Sequence, residues 1–342
     1  MEAKDCTAVG SGSSRQRISV VVCTYNRANL LPGALQSLLR LDVPDDWQWD
    51  VLVVDNNSSD ATAQVVADLM RANDGRLHYV LEPEPGVAAA RNCGIARSSG
   101  DWVAFFDDDQ IADQAWLREL LEFASSNDFR VVSGGIRLLL PAAAPDLPPE
   151  ALRLFAGQSD QERSRPGSPV SGGNSLFHRS VFEQIGTFDT SLGEAGEDTD
   201  LTRRLGKAGI ATGYDMHAIV HHRVTLSRLE TPALLAASRR VGWGFARRDY
   251  RTYGGLRLIA LCCSRLLLLS SKGAIRYARA AFAGDRRLLL GARIDAARTR
   301  GYCAGTAACI LPETIRGRLG IGEPSFRDEF GRTSSQVNTG HG

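Results

Sequence analysis

What most constrains the fold of this chain is a unit that recurs along its first third: a short β-branched run, a polar loop, then an amphipathic stretch. Ile18 to Cys23 (ISVVVC) opens the series, followed by the loop Thr24-Tyr25-Asn26-Arg27 and a helical pattern from Leu30 to Leu41. Asp50 to Val54 repeats it, with the loop Asp55-Asn56-Asn57-Ser58-Ser59-Asp60 and a helix from about Ala61 to Arg71. Leu77 to Leu81 leads through Glu82-Pro83-Glu84-Pro85-Gly86 into an Ala-rich helix ending at Arg97, and Trp102 to Phe106 leads through an acidic turn into a helix near Gln114 to Ser125. Apolar runs of this length suit strands buried on both faces, and helices between them make the sheet parallel. In such sheets ligands bind beyond the carboxyl ends of the strands, where Thr24, Asp55 and the acidic turn all fall. The expected fold class is therefore α/β, with a mostly parallel central sheet flanked by helices.

The acidic turn carries the most chemistry. In Gly100-Asp101-Trp102-Val103-Ala104-Phe105-Phe106-Asp107-Asp108-Asp109 an apolar strand ends in three consecutive carboxylates. Each raises the cost of ionising its neighbours unless a metal or a basic side chain offsets the charge. Hard divalent ions such as Mn²⁺ or Mg²⁺ suit an oxygen site of this kind and usually share it with phosphate. The competing reading is a solvated acidic turn, and this stretch alone leaves both open.

Farther along, Pro141 to Pro149 is a Pro- and Ala-rich connection after a strand at Phe129 to Leu140, and Gln158 to Pro169 reads as a loop over the site or a linker. Gly172 and Gly173, inside a strand-like run that continues through Asn174 to Phe177, suggest close approach of a ligand or of backbone. Glu197 and Asp198 open a helix running to Lys207, where acids cap and complement the dipole whether or not they react with anything. His221 and His222 end another apolar run, a position compatible with a ligand or with a solvated imidazole.

Composition narrows the classes. Lys and Arg number 40 against 39 acidic residues, so bulk charge offers no case for nucleic-acid binding. The 7 cysteines are scattered without paired spacing, which reads as reduced thiols and a cytoplasmic location. No run of apolar residues is long enough for a spanning helix. Pro232 to Arg248 reads as a helix with an arginine-rich face. After it, Arg257, Arg265, Lys272, Arg276 and Arg279 fall on one stripe of a mostly apolar helical region that Gly273 can divide. Such a stripe suits either the surface of an anionic bilayer, with peripheral attachment at its cytoplasmic face, or packing on the rest of the protein.

Taken together, CTYNR, VDNNSSD, EPGVAAARNCGIA, GDWVAFFDDD, GGNSLF followed by IGTFD, GEDTDL and the histidine pair resemble the ordered motif series of family 2 glycosyltransferases over about Ile18 to Arg248. The resemblance implies a GT-A fold combining a nucleotide-binding half (18–140) with an acceptor half (170–230) inside one unit (18–250), a helical extension (251–315) and disordered tails (1–17 and 316–342). It implies that Thr24 and Arg27 lie against the nucleotide, that Asp55 accepts from the base, and that Arg91 contacts base or diphosphate. Asp107 and Asp109 would be the ends of an Asp-x-Asp motif, with Asp107 facing ribose or metal and Asp109 and His222 on the metal. Gly172, Gly173 and Asn174 would line the donor-sugar pocket. Asp198 would be the general base and Glu197 its neighbour. Gln110 departs from the pattern, standing where relatives often carry a further acid.

The implied activity is inverting transfer from a nucleotide-diphosphate sugar to a saccharide or lipid-linked saccharide, with Mn²⁺ or Mg²⁺, in surface polysaccharide or glycolipid synthesis. Transfer of that kind needs a neutralised leaving group and a deprotonated acceptor hydroxyl, roles that fit the carboxylates. Two rivals stand beside it. A sugar nucleotidyltransferase would want a Gly-rich basic loop after the first strand, which CTYNRANLLP is not; an inactive sugar-binding or scaffolding module would have no need to keep Asp107, Asp109 and Asp198 together.

Overall fold

A computed structural model of the chain describes residues 16–73, 75–155, 163–166, 170–192, 196–268 and 274–322. The elements, in chain order, are β1 Gln16–Thr24, α1 Leu31–Leu38, β2 Trp47–Asp55, α2 Thr62–Arg71, β3 Leu77–Leu81, α3 Val87–Arg97, β4 Trp102–Asp107, β5 Gln110–Ala112 and α4 Trp116–Asn127. They continue with β6 Val131–Leu139, α5 Pro149–Leu152, β7 Arg163–Pro166, β8 Asn174–His178, α6 Ser180–Ile185, α7 Glu197–Lys207 and β9 Ala211–Arg223. A helical region closes the chain: α8 Leu226–Leu229, α9 Thr231–Leu268, α10 Ala274–Phe282, α11 Arg286–Ile310 and α12 Glu313–Arg318.

All strands join one sheet in the order β3-β2-β1-β4-β8-β6-β9-β5, with β7 on β9. The first four are parallel. Their apolar runs are buried on both faces: Val20, Val22 and Phe106 pack with Leu31, Leu35 and Trp116 on one side, while Val21, Val54 and Phe105 meet Ala90, Phe182 and Leu201 on the other. The second half mixes directions, because β8 runs antiparallel to both β4 and β6, and β9 runs parallel to β6. Since β2 and β4 lie on opposite sides of β1, the chain switches direction across the sheet between β1 and β4, and a crevice forms at their carboxyl ends.

The helical region departs from the expected boundaries. Helix α9 begins at Thr231 and runs through residues 250 and 251, and its break falls at Gly254 (φ +76°), whose backbone conformation favours glycine. Gly273 and Lys272 lie outside the described residues. The expected basic stripe also loses a member: Arg265 turns inward, 3.5 Å from the buried carboxylate of Asp249 and 3.9 Å above the ring of Tyr302. Asp249 in turn accepts from the Tyr302 hydroxyl at 2.8 Å, so α9 and α11 share a buried polar pin. Within the segment from Gln158 to Pro169, expected as a loop, residues 163–166 pair as β7 with β9, and the rest lies outside the described residues. Helix α12, Glu313–Arg318, reaches into the stretch expected as a disordered tail from residue 316. Residues 1–15 and 323–342 are outside the description. Among the described residues no helix is long and apolar enough to cross a membrane.

At Gly242 and Gly301, helices α9 and α11 approach so closely that a side chain is excluded at either position. A Cβ on Gly301 would stand 2.0 Å from the Arg239 carbonyl oxygen, and one on Gly242 would stand 1.9 Å from that of Arg298. Gly301→Ala must therefore push two backbones apart, and we expect a loss of about 2 kcal/mol or more, read as a lower urea midpoint. An unchanged midpoint would mean that the two helices separate without cost.

Candidate active site

The crevice predicted by the topology is a cleft of about 320 Å³ lined by residues from the ends of β1, β4 and β9 and the start of α3. It includes Thr24, Arg27, Asp107, Asp108, Asp109 and His222, so residues far apart in sequence come together here. A larger cavity, about 480 Å³, opens at the opposite strand ends between Trp47, Trp49 and Arg76 and holds none of the residues singled out by the motifs.

One cation ties the halves of the site. Arg91, on α3 and only 6% exposed, reaches the Glu197 carboxylate at 2.7 Å and Asp107 at 3.8 Å, with its guanidinium 5.4 Å from the Phe188 ring centre. Burial alone would depress its pKa, but the Glu197 and Asp107 charges more than offset this and hold it above the ordinary arginine value. Arg91, expected against base or diphosphate, here links strand tip and helix start. Asp198 follows Glu197, partly buried, and accepts from the Thr199 backbone N–H at 2.6 Å. Neither acid is among the residues lining the cleft; Arg91 joins Glu197 to Asp107, which does line it.

The glycine pair explains how the loop before β8 fits here. A Cβ on Gly173 would lie 1.8 Å from Asp107 Oδ2, and one on Gly172 would lie 2.5 Å from Arg91 Nη2. The close approach is to the protein's own ion pair. Asn174 differs from its expected place in the donor-sugar pocket: it is fully buried, accepts from Trp116 Nε1 at 2.8 Å, and donates to the carbonyls of Gly135 and Ala218 at 3.0 and 3.2 Å. Those carbonyls flank the irregularity where β6 and β9 shift register, so the Asn174 amide staples a place that strand pairing leaves open.

The three carboxylates are held differently. Asp107 is half exposed to the cleft, with 45% of its side chain accessible. Asp108 is buried and accepts from the Thr24 hydroxyl at 2.7 Å; burial, with Asp109 and Asp107 adding and Arg27 and Thr24 opposing, pushes its carboxyl up to about 7. Asp109 is also buried, yet the hydrogen bond and charge of His222, with Arg228 and Arg27, outweigh burial and hold it at about 2. Asp109 Oδ2 lies 3.3 Å from His222 Nε2 and 3.1 Å from Arg228 Nη1. His222 Nδ1 must donate to the Phe155 carbonyl at 2.7 Å, which turns Nε2 toward Asp109. His221, its neighbour in sequence, pairs with Asp113 at 2.9 Å instead.

Among the described residues no group of three His, Cys, Asp or Glu side chains is gathered as a metal centre. A divalent ion that takes the rest of its oxygens from a diphosphate needs only one or two carboxylates from the protein. Asp109 and His222 Nε2, the latter oriented by a carbonyl, lie 3.3 Å apart, and Asp107 is open to the same cleft, so the residue types present fit such an ion.

Other expected residues take structural partners. Asp55 is 1% exposed and accepts from Ser58 N–H at 2.9 Å and the Tyr79 hydroxyl at 2.9 Å. Gln110, 2% exposed, sits where an ionised acid would be buried without room for solvent. The sequence motifs did not single out Arg228 or Phe155, and Phe188, inside IGTFD, was given no role. Of the first two, Arg228 left a trace, as a cation just past the histidine strand, on α8.

The comparisons fit this geometry. The model of glycosyl transferase family 2 matches residues 19–186. The chain belongs to this family. The succinoglycan biosynthesis protein ExoM of Rhizobium meliloti is 29% identical over 87% of this chain and 86% of its own length. The GalNAc(5)-diNAcBac-PP-undecaprenol beta-1,3-glucosyltransferase of Campylobacter jejuni is 35% identical over 32% of this chain and 35% of its own. Among solved structures, GalNAc-T7 with UDP, GalNAc and Mn²⁺ superposes with a TM-score of 0.52 at 17% identity, over 66% of this chain and 48% of that one. The chain thus spans about half of that neighbour, and the likeness shows the fold, GT-A, and nothing more.

Asn174→Ala would leave the Trp116 indole and two buried carbonyls without partners. We expect a loss of about 3 kcal/mol in denaturant unfolding, since each buried group left unpaired costs on the order of 1–3 kcal/mol. A drop in sugar binding at unchanged stability would instead restore Asn174 to the pocket.

Proposed function

We infer that this glycosyltransferase takes a nucleotide-diphosphate sugar as donor and transfers the sugar with inversion to a saccharide or lipid-linked saccharide. The observation that carries this reading is the Arg91 bridge, which ties the start of the Glu197-Asp198 helix to the Asp107 strand tip across the sheet. The polysaccharide and undecaprenol-linked relatives support the acceptor class.

On this reading the nucleotide enters the cleft between the β1 loop and the start of α3. Asn56 shapes that wall: its amide donates to the carbonyls of Glu82 and Glu84 at 3.2 and 2.6 Å and accepts from Gly86 N–H at 2.8 Å. Asp109, His222 and Asp107 would hold Mn²⁺ or Mg²⁺. Bound there, such an ion supplies Lewis-acid stabilisation of the departing diphosphate. Asp198 takes the proton of the acceptor hydroxyl as general base. Glu197 keeps Arg91 in place beside it. A single displacement with the base opposite the leaving group inverts the anomeric carbon.

The helical region would place the enzyme against a membrane at its cytoplasmic face. Leu256, Leu267 and Phe282 are 87%, 70% and 97% exposed, and Arg257 and Arg279 are exposed beside them. That mixture of apolar and cationic surface supports peripheral attachment to anionic lipid.

Two measurements test the reading. Thermal-shift titration with UDP, GDP, dTDP and CMP, each with and without Mn²⁺, is expected to give a rise in Tm for one nucleotide that requires the metal. No shift for any of them would remove the donor site. Asp198→Asn is expected to lower turnover about 10²–10⁴-fold, the usual contribution of a general base, while donor binding stays nearly constant. Equal loss of binding and turnover would take the base role from Asp198.

A further inference from the structure

A second cavity lies outside the cleft, between α9, α11 and α12. It is about 290 Å³ and is lined by Trp243, Arg247, Tyr250, Arg251 and Arg316 together with Cys309 and Ala308. No acidic side chain is among the lining residues. Three guanidiniums around one cavity repel each other, and their proximity is felt at Cys309: burial raises that thiol, while Arg247, Arg316 and Arg251 all pull against it. Trp243 is 7% exposed, and its buried indole Nε1 has no hydrogen-bond partner among the described residues; Arg316 Nε is in the same condition. Buried donors in excess of acceptors, around a space many times larger than the roughly 30 Å³ of one water, call for an anion.

We propose that this cavity binds the phosphate or diphosphate head of an amphiphile, as in a prenyl-type carrier lipid. Guanidiniums recognise phosphate oxygens in paired, charge-assisted hydrogen bonds, and a group with several anionic oxygens can meet more than one of them at once, which a single carboxylate does less well. Exposed apolar side chains close in sequence to the lining residues suit a hydrocarbon tail: Tyr253, Ile310 and Ile315, on the same three helices, are 50%, 40% and 43% exposed, and Leu319, just past α12, is 61% exposed. The cavity also faces the acceptor half. Arg251 joins Asp189 at 3.2 Å, and Asp189 follows Phe188, whose ring lies against Arg91. The assignment rests on the reading that the acceptor is lipid-linked, but binding at this cavity can be measured without turnover.

The test is calorimetric titration of the full chain, in EDTA, with farnesyl diphosphate, inorganic pyrophosphate and farnesol. Farnesyl diphosphate is expected to bind, and the double variant Arg247→Gln/Arg316→Gln to weaken it tenfold or more while the metal-dependent nucleotide shift is unchanged. Pyrophosphate bound as tightly, with the same arginine dependence, would assign the site to free phosphate compounds; much weaker pyrophosphate binding assigns it to the lipid head. No binding of either anion, or binding of farnesyl diphosphate and farnesol alike with no effect of the arginines, overturns the proposal. If the double variant melts early, Arg316→Gln alone, on the terminal helix α12, carries the test and should weaken binding at least threefold. Arginine-dependent binding in a protein that shows no nucleotide shift would leave this site standing and remove the donor reading instead.

Discussion

A single buried guanidinium holds the working end of this molecule together. Arg91 is surrounded by Glu197, Asp107 and the ring of Phe188, three groups from three separate parts of the chain. Its charge is tolerable at that depth only because two carboxylates lie against it, and they in turn depend on it. The loop before β8 must close over this pair with almost no clearance, and Gly172 and Gly173 are the residues that let it do so. The ion pair therefore fixes the position of the β4 tip, the start of α7 and the entry to β8 at once.

How much of this the sequence discloses follows from how local each cause is. The parallel half was legible because a buried strand and an amphipathic helix write their periods into neighbouring residues; β3, for example, spans Leu77–Leu81 as expected. The convergence of Thr24 and Asp107 followed from topology alone. The glycine pair announced close approach correctly, but could not say that the neighbour was an ion pair of the protein itself. Asn174 was misplaced for a related reason: an Asn beside two glycines looks the same in sequence whether its amide meets a sugar or two carbonyls at a strand irregularity. Arg228 and Phe155 act through space, on one histidine, from both sides of a long connection, and no spacing records that.

The helical region illustrates the same point at larger scale. Amphipathic periodicity gave its helices and a stripe of cations, but pairing of α9 with α11 redistributes them. Arg265 becomes part of a buried pin with Asp249 and Tyr302, while the backbones of Gly242 and Gly301 meet facing carbonyls. Through Ile294 on α11, this pair packs into the apolar cluster that holds Phe155, Val224 and Leu229. Phe155 then supports both members of the Asp109 shell, by its carbonyl to His222 and its ring 5.2 Å from the Arg228 guanidinium. The helices are thus a wall behind the site as well as a surface facing outward.

That arrangement bears on the metal proposed for the cleft. Arg91 is paired with Glu197 and Asp107, and Arg228 with Asp109. Arg223 donates from Nη2 to the carbonyls of Leu30 and Asp108 at 2.7 and 3.0 Å. Much of the positive charge around the cleft is therefore already engaged inside the protein, and Asp108 still sits in surroundings that push its carboxyl to about 7. A diphosphate entering such a place adds negative charge where carboxylates already resist ionising. On the proposed reading, Asp109 and His222, whose Nε2 is left for Asp109 once Nδ1 is committed to Phe155, would hold a divalent cation that offsets this charge. The arginines, engaged with carboxylates and carbonyls of the protein, set the geometry of the site, and on the proposed reading the charge that a diphosphate adds would be met by the ion.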